Sequence, residues 1–98
     1  MLLLEESLEF EWDQWNVEKN RIKHAVEPNE TEEVFIDDNK VSFEDSKHSD
    51  IERRVVLIGK TKKARILYVA FTIRNSKIRV VSVRDVSRKE VKLYEKTT

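Results

Sequence analysis

The chain places arginines in one of its few apolar strand-like runs. In "KIRVVSVR" (77–84) Arg79 lies inside the run and Arg84 closes it. A guanidinium is planar, permanently charged and shaped to meet two oxygens of a phosphate or carboxylate. The two arginines therefore suit either phosphate binding or ion pairing with acidic segments elsewhere in the chain. Side chains alternate along a strand, so a regular strand sends Arg79 and Arg84 to opposite faces. Both can serve one site only if the strand bulges or ends near Ser82–Arg84.

Other residues invite chemical readings, each with a structural alternative. Lys23 and His24 close a predicted first helix, where cations satisfy terminal carbonyls and the helix dipole. His24 is also suited to general acid–base work, because imidazole titrates near neutrality. His48 sits in the polar loop "SKHSD". Glu52 and Arg54, two apart in a predicted strand, share a face and pair a base with a phosphate ligand, or form a surface ion pair of little energetic weight. Lys60, Lys62, Lys63 and Arg65 make a basic turn, which is either a phosphate contact or a solvated hairpin tip. Tyr94 reads as an anchor at the edge of the core.

The elements that must position these groups follow from pattern. "LEFEW" (8–12) alternates and suggests a short strand. Asp13 is a suitable N-cap for a helix through about His24. Trp12, Trp15, Ile22 and Val26 are spaced as its core-facing stripe, with Asn16, Asn20, Lys23 and His24 on another face. Pro28 and the acidic residues after it suit the first turn of a second helix, "PNETEEVFID" (28–37). "KVSFED" (40–45) is a weak strand. "RRVVLIG", "RILYVAFTI" and "KIRVVSVR" are strong strands joined by short turns, which favours antiparallel pairing. Ser87 with Glu90 forms a capping box for a last helix. The fold class is α+β, with two N-terminal helices and one C-terminal helix on a small, largely antiparallel sheet.

At 98 residues with a 39% hydrophobic fraction, the chain suits one domain over 1–98 with one core. The absence of cysteine excludes disulfides, thiolate chemistry and cysteine zinc sites. Two histidines are too few for a histidine-rich metal cluster. "MLLLEES" turns acidic after four residues and does not read as a signal peptide. A cytoplasmic soluble protein is the expectation. Residues 1–52 hold 5 Lys/Arg against 16 Asp/Glu, a net of −11, and residues 53–98 hold 14 against 3, a net of +11. That split suits either a polyanion or acidic partner on the second half, or mutual neutralisation of the halves in the fold.

The ordered set "FEWD" (10–13), Asn20 with "KH" (23–24), "VF" then Asp37, "HS" (48–49), Glu52, Arg54, "LIG" (57–59), Arg65, Thr72, "RVVSVR" (79–84) and "SRKEVKLYE" (87–95) resembles the BrnT family of type II toxins. The resemblance covers about residues 9–95. It implies a RelE-like ribonuclease fold and inhibition of translation by RNA cleavage, with no metal or other cofactor. It also implies a BrnA-type ribbon-helix-helix antitoxin, in a two-plus-two assembly, that reaches promoter DNA. The alternative function is a degenerate module that only binds the antitoxin and acts as co-repressor. The chain departs from the family pattern at Ala25, where Gly is usual, at Asn16, where Lys is common, and at Phe71, often Tyr. Ala25 suggests a helix end not forced into a left-handed cap.

Metal-free RNA cleavage uses the 2′-hydroxyl as nucleophile, with a proton acceptor, a donor to the leaving oxygen and cations for the phosphorane charge. The candidates for that chemistry are Lys23, His24, Glu52, Arg54, Arg79 and Arg84. The candidate RNA contacts are Lys60, Lys62, Lys63, Arg65 and Arg88.

Overall fold

The computed structural model describes residues 9–48 and 52–96. In chain order the elements are β1 (Glu9–Glu11), α1 (Gln14–His24), α2 (Pro28–Phe35), β2 (Val41–Glu44), a 3-10 turn (Ser46–His48), β3 (Val55–Lys60), β4 (Ile66–Arg74), β5 (Lys77–Asp85) and α3 (Arg88–Glu95). The five strands form one sheet in the order β1-β5-β4-β3-β2. All pairs are antiparallel except β1 with β5, which run parallel. No helix among the described residues is long and apolar enough to cross a membrane.

The helices begin where the caps place them. Asp13 Oδ1 accepts from Trp15 N–H at 2.8 Å, and Ser87 with Glu90 closes the capping box of α3. At α2, Glu27 and Glu30 form a capping box that spans Pro28, the first residue of the helix. The turn between β4 and β5 uses Asn75 and Ser76 at φ 53° and 62°, the two positive angles that a type I′ hairpin demands.

Alternation divides the sheet into two faces. Val55, Leu57, Leu67, Val69, Phe71, Ile78, Val80 and Val83 pack under Val26, Val34 and Phe35 as the main core. Phe35 meets the rings of Phe10 and Phe71 edge-on at 5.0 Å each, tying β1, α2 and β4 together. Gly59 is required there: a Cβ would stand 2.7 Å from Val34 Cγ1 and 3.0 Å from its carbonyl oxygen. On the other face α3 covers Val56 and Ile58 with Tyr94. Among the described residues, the remainder of that face, toward β1, carries no helix.

Two expectations about α1 are overturned. Trp15 and Ile22 are 74% and 78% exposed and do not face the core. The buried face carries Val17 and Asn20 instead. The physical reason is the strand beneath it. β1 pairs only with Lys77–Arg79, so the outward backbone groups of β5 beyond Arg79 lack a strand partner. Helix α1 supplies side chains in its place. Asn16 Nδ2 and Lys19 Nζ donate to the carbonyls of Val80 (3.4 Å) and Val81 (3.0 Å), and Val83 N–H donates to Asn20 Oδ1 at 3.2 Å. Buried backbone groups need partners, so polar residues point inward and Trp15 points out. The second correction concerns Ala25, which is left-handed at φ 52°, ψ 42° despite its side chain. Arg65 holds it there, donating to the carbonyls of Ala25 at 2.9 Å and His24 at 2.8 Å.

Candidate active site

The β4–β5 register shifts between Ala70 and Phe71. Ala70 pairs with Ser82 and Phe71 with Val80, which leaves Val81 as an extra residue. This is a β-bulge, beginning one residue before the stretch where the sequence required an irregularity. Its consequence is geometric. Arg79 pairs with Thr72 and Arg84 with Tyr68, and Thr72 and Tyr68 are four apart in β4. The two arginines therefore share the face opposite the main core, together with Ser82, Ala70, Tyr68 and Thr72.

On that face the arginines differ in how fully they are engaged. Arg84 forms a bidentate pair with Glu90, both bonds 2.8 Å, and its guanidinium lies 3.9 Å from the centroid of the Tyr68 ring. Arg84 thereby holds the Glu90 carboxyl below the usual range. Arg74 is likewise bidentate to Glu52, at 3.0 and 2.8 Å. Arg79 is held more loosely, 3.5 Å from Asp13 and 3.9 Å from Glu11, both longer than an ordinary charge-assisted hydrogen bond. Beside it, the buried hydroxyl of Thr72 has no hydrogen-bond partner. Glu52 is pushed down first by the Arg74 hydrogen bond, with the charges of Arg79 and Arg54 adding to it. Burial pushes the Tyr68 phenol up, and Asp45 adds to it. Glu52 and Arg54 precede β3, which starts at Val55, so they reach this face from the loop and not from a strand.

The other sequence candidates lie elsewhere. Lys23 and His24 end α1, on the layer over the opposite face. Arg65 stands beside them, bidentate to Asp85 at 2.8 and 3.1 Å and 3.3 Å from Glu30. With the two carbonyls it also caps, its guanidinium is committed to joining α1, α2 and β5. Lys60 lies at the end of the sheet, its N–H donating to Asp37 at 2.8 Å and its ammonium 5.7 Å from the Tyr94 ring. Lys62 and Lys63 are exposed at the turn, and Arg88 is exposed at the start of α3. His48 closes the 3-10 turn, and Ser49 beyond it falls outside the described residues. Tyr94 is buried as an anchor, donating to Asp37 at 2.7 Å, and burial together with Asp37 pushes its phenol up to about 12.

Sequence reasoning missed Tyr68, Asp13 and Glu11 as neighbours of the arginines. The signal for Tyr68 was present: Tyr68 and Thr72 are polar residues four apart in an apolar strand, hence on one face. The charge split resolves into mutual neutralisation for much of the molecule. Ion pairs join Glu9 to Lys77, Glu11 and Asp13 to Arg79, Glu30 to Arg65, Glu44 to Arg53, and Glu52 to Arg74.

The family model described as "Ribonuclease toxin, BrnT, of type II toxin-antitoxin system" matches residues 12–90. In fold the chain is similar to the 1.1 Å crystal structure of the Brucella abortus ribonuclease toxin BrnT, with a TM-score of 0.63 and 21% identity, covering 84% of this chain and all of that one. No curated protein matches the chain in sequence. The family match spans most of the chain, and the element order and mixed sheet accord with it. The chain belongs to the BrnT family of ribonuclease toxins of type II toxin–antitoxin systems.

Proposed function

We propose that this chain is a metal-independent endoribonuclease whose site is the helix-free part of the sheet face, centred on Arg79. The observation that carries the reading is the β4–β5 register, which pairs Arg79 with Thr72 and so sets it on one face with Tyr68, in the field of Glu52. Of Arg74, Arg79 and Arg84, Arg79 has the longest ion pairs, so a phosphate displaces weaker partners there than at the other two. Arg79 and Arg54 stabilise the charge of the phosphorane. Glu52, kept ionised by Arg74, accepts the 2′-hydroxyl proton as that oxygen attacks phosphorus; the P–O5′ bond breaks and the departing 5′-oxygen takes its proton from water, while Thr72 donates to a non-bridging phosphate oxygen. Lys23, His24 and Arg65 are assigned to holding the end of α1, outside the chemistry.

The fold reading is RelE-like and the setting cytoplasmic. The antitoxin is of BrnA type in a two-plus-two assembly, and it carries promoter binding. A second reading is a toxin-like module that only binds its antitoxin. It is favoured by the carboxylates that face Arg74, Arg79 and Arg84 in the free chain.

Incubation of purified protein with end-labelled RNA, with and without EDTA, decides between them. The enzymatic reading expects cleavage that EDTA does not reduce, leaving 2′,3′-cyclic phosphate ends. Intact RNA, together with harmless expression in cells, sinks it in favour of the second reading. Cleavage abolished by EDTA sinks the metal-independent route.

A further inference from the structure

The neutralisation of the two halves leaves some cations of the second half without an ion pair among the described residues, Lys62 and Lys63 at the turn and a longer row on α3. Helix α3 carries Arg88, Lys89, Lys92 and Lys96, all exposed. None of them takes part in an ion pair among the described residues, while the arginines of the sheet do. At about 100° per residue these four positions fall within an arc of about 100°. They span about 12 Å along the helix at its ordinary rise, enough to meet more than one phosphate of a strand.

The stripe is fixed relative to Arg79. The opposite side of α3 is anchored by Tyr94, 3% exposed and bonded to Asp37. Its first turn is bound to β5 by the bidentate Arg84–Glu90 pair. The strand that carries Arg79 thus also anchors the helix that carries this row of cations. The arc contains no apolar side chain, whereas the centre of a protein interface is depleted of charge. A row of lysines without an apolar anchor suits a phosphodiester backbone.

We infer that Arg88, Lys89, Lys92 and Lys96 form a second RNA subsite, which binds the substrate backbone away from the scissile phosphate. The inference rests on the ribonuclease reading of the sheet face. It assigns affinity and salt dependence to α3 and leaves the chemical step to the sheet.

The test uses the full chain and a fluorescent 2′-O-methyl 20-mer of mixed sequence, which cannot be cleaved. Binding is read by anisotropy from 50 to 400 mM NaCl for the wild type and for a triple variant, Lys89→Ala, Lys92→Ala and Lys96→Ala. Each lost phosphate contact removes about 0.7 from the slope of log affinity against log salt, so the slope becomes shallower by about 2. That corresponds to roughly a hundredfold loss at 0.1 M salt if the two proteins converge at 1 M. A triple Lys→Arg variant should keep the wild-type slope. On cleavable RNA the triple alanine variant should raise KM and leave kcat unchanged. An unchanged slope overturns the inference, as does failure of the wild type to bind the oligomer. An unchanged slope with weakened antitoxin binding reassigns the stripe to a protein partner. If the wild type binds with the expected slope but cuts no RNA, the ribonuclease reading fails while the subsite stands.

Discussion

Replacing Ala25 by glycine should make the protein more stable. Ala25 sits at φ 52°, ψ 42°, where the Cβ of an L-residue costs about 1–2 kcal/mol. Glycine removes that cost but gives the unfolded chain more freedom, worth about 0.5–1 kcal/mol. The difference leaves a gain of up to about 1.5 kcal/mol, and about 0.75 kcal/mol at the middle of the two ranges. No compensating contact is lost, because Ala25 is exposed and Arg65 binds its carbonyl oxygen, not its side chain. In a chain of 98 residues, 1 kcal/mol moves the midpoint by about 4–8 °C. Thermal unfolding of wild type, Ala25→Gly and Ala25→Val at one protein concentration reads the effect. The expected order of midpoints is Gly above Ala above Val, since a β-branched residue fits the left-handed region worst. A glycine variant no more stable than wild type would refute the strain argument.

Asn20→Leu should cost about 1–3 kcal/mol in urea unfolding, because the buried Val83 N–H then loses its acceptor, whereas Trp15→Ala should stay within about 0.5 kcal/mol. Gly59→Ala should cost about 1–3 kcal/mol, as its Cβ meets the Val34 backbone and side chain at 3.0 and 2.7 Å. It is read by the same urea titration. The carboxyls of Glu27, Glu52, Asp85 and Glu90 are all lowered in the folded chain, each first by its arginine partner. Their stabilisation is present above the unfolded values of 4.5 for Glu and 3.8 for Asp, and is lost as pH falls through the lower folded ones. The urea midpoint should therefore hold from pH 7 to about 5 and drop below that. Tyr94 has the opposite sign: its stabilisation is full below pH 10.0 and fades toward about pH 12, a loss that Tyr94→Phe should abolish.

Much of the architecture was legible. Caps at Asp13 and Ser87, the proline at the start of α2 and three apolar runs with short turns gave the order of elements. The inward face of α1 was not legible, because Trp and Ile are buried in most helices and here Asn16, Lys19 and Asn20 are needed by an unpaired strand edge. Nothing local to α1 announces that β1 stops at Arg79 of β5. The candidate site was legible in part. Arg79 could be singled out, and strand parity stated the condition that the bulge at Val81 meets. The fates of Arg84 and Arg65 were not visible, because each depends on carboxylates chosen by tertiary packing: Glu90 for Arg84, Asp85 and Glu30 for Arg65. Lys23 and His24 became candidates through the BrnT resemblance and the near-neutral titration of imidazole; the fold sets them at the end of α1, where Arg65 binds the His24 carbonyl.

The most direct test of the central claim compares RNA cleavage under single-turnover conditions by wild type, Arg79→Ala and His24→Ala. Placing the chemistry on the open sheet face predicts a loss of about 10²–10³ for Arg79→Ala, the usual effect of removing one charge-stabilising donor, and near wild-type rates for His24→Ala. Full activity in Arg79→Ala with activity lost in His24→Ala would contradict the account and move the site to the end of α1.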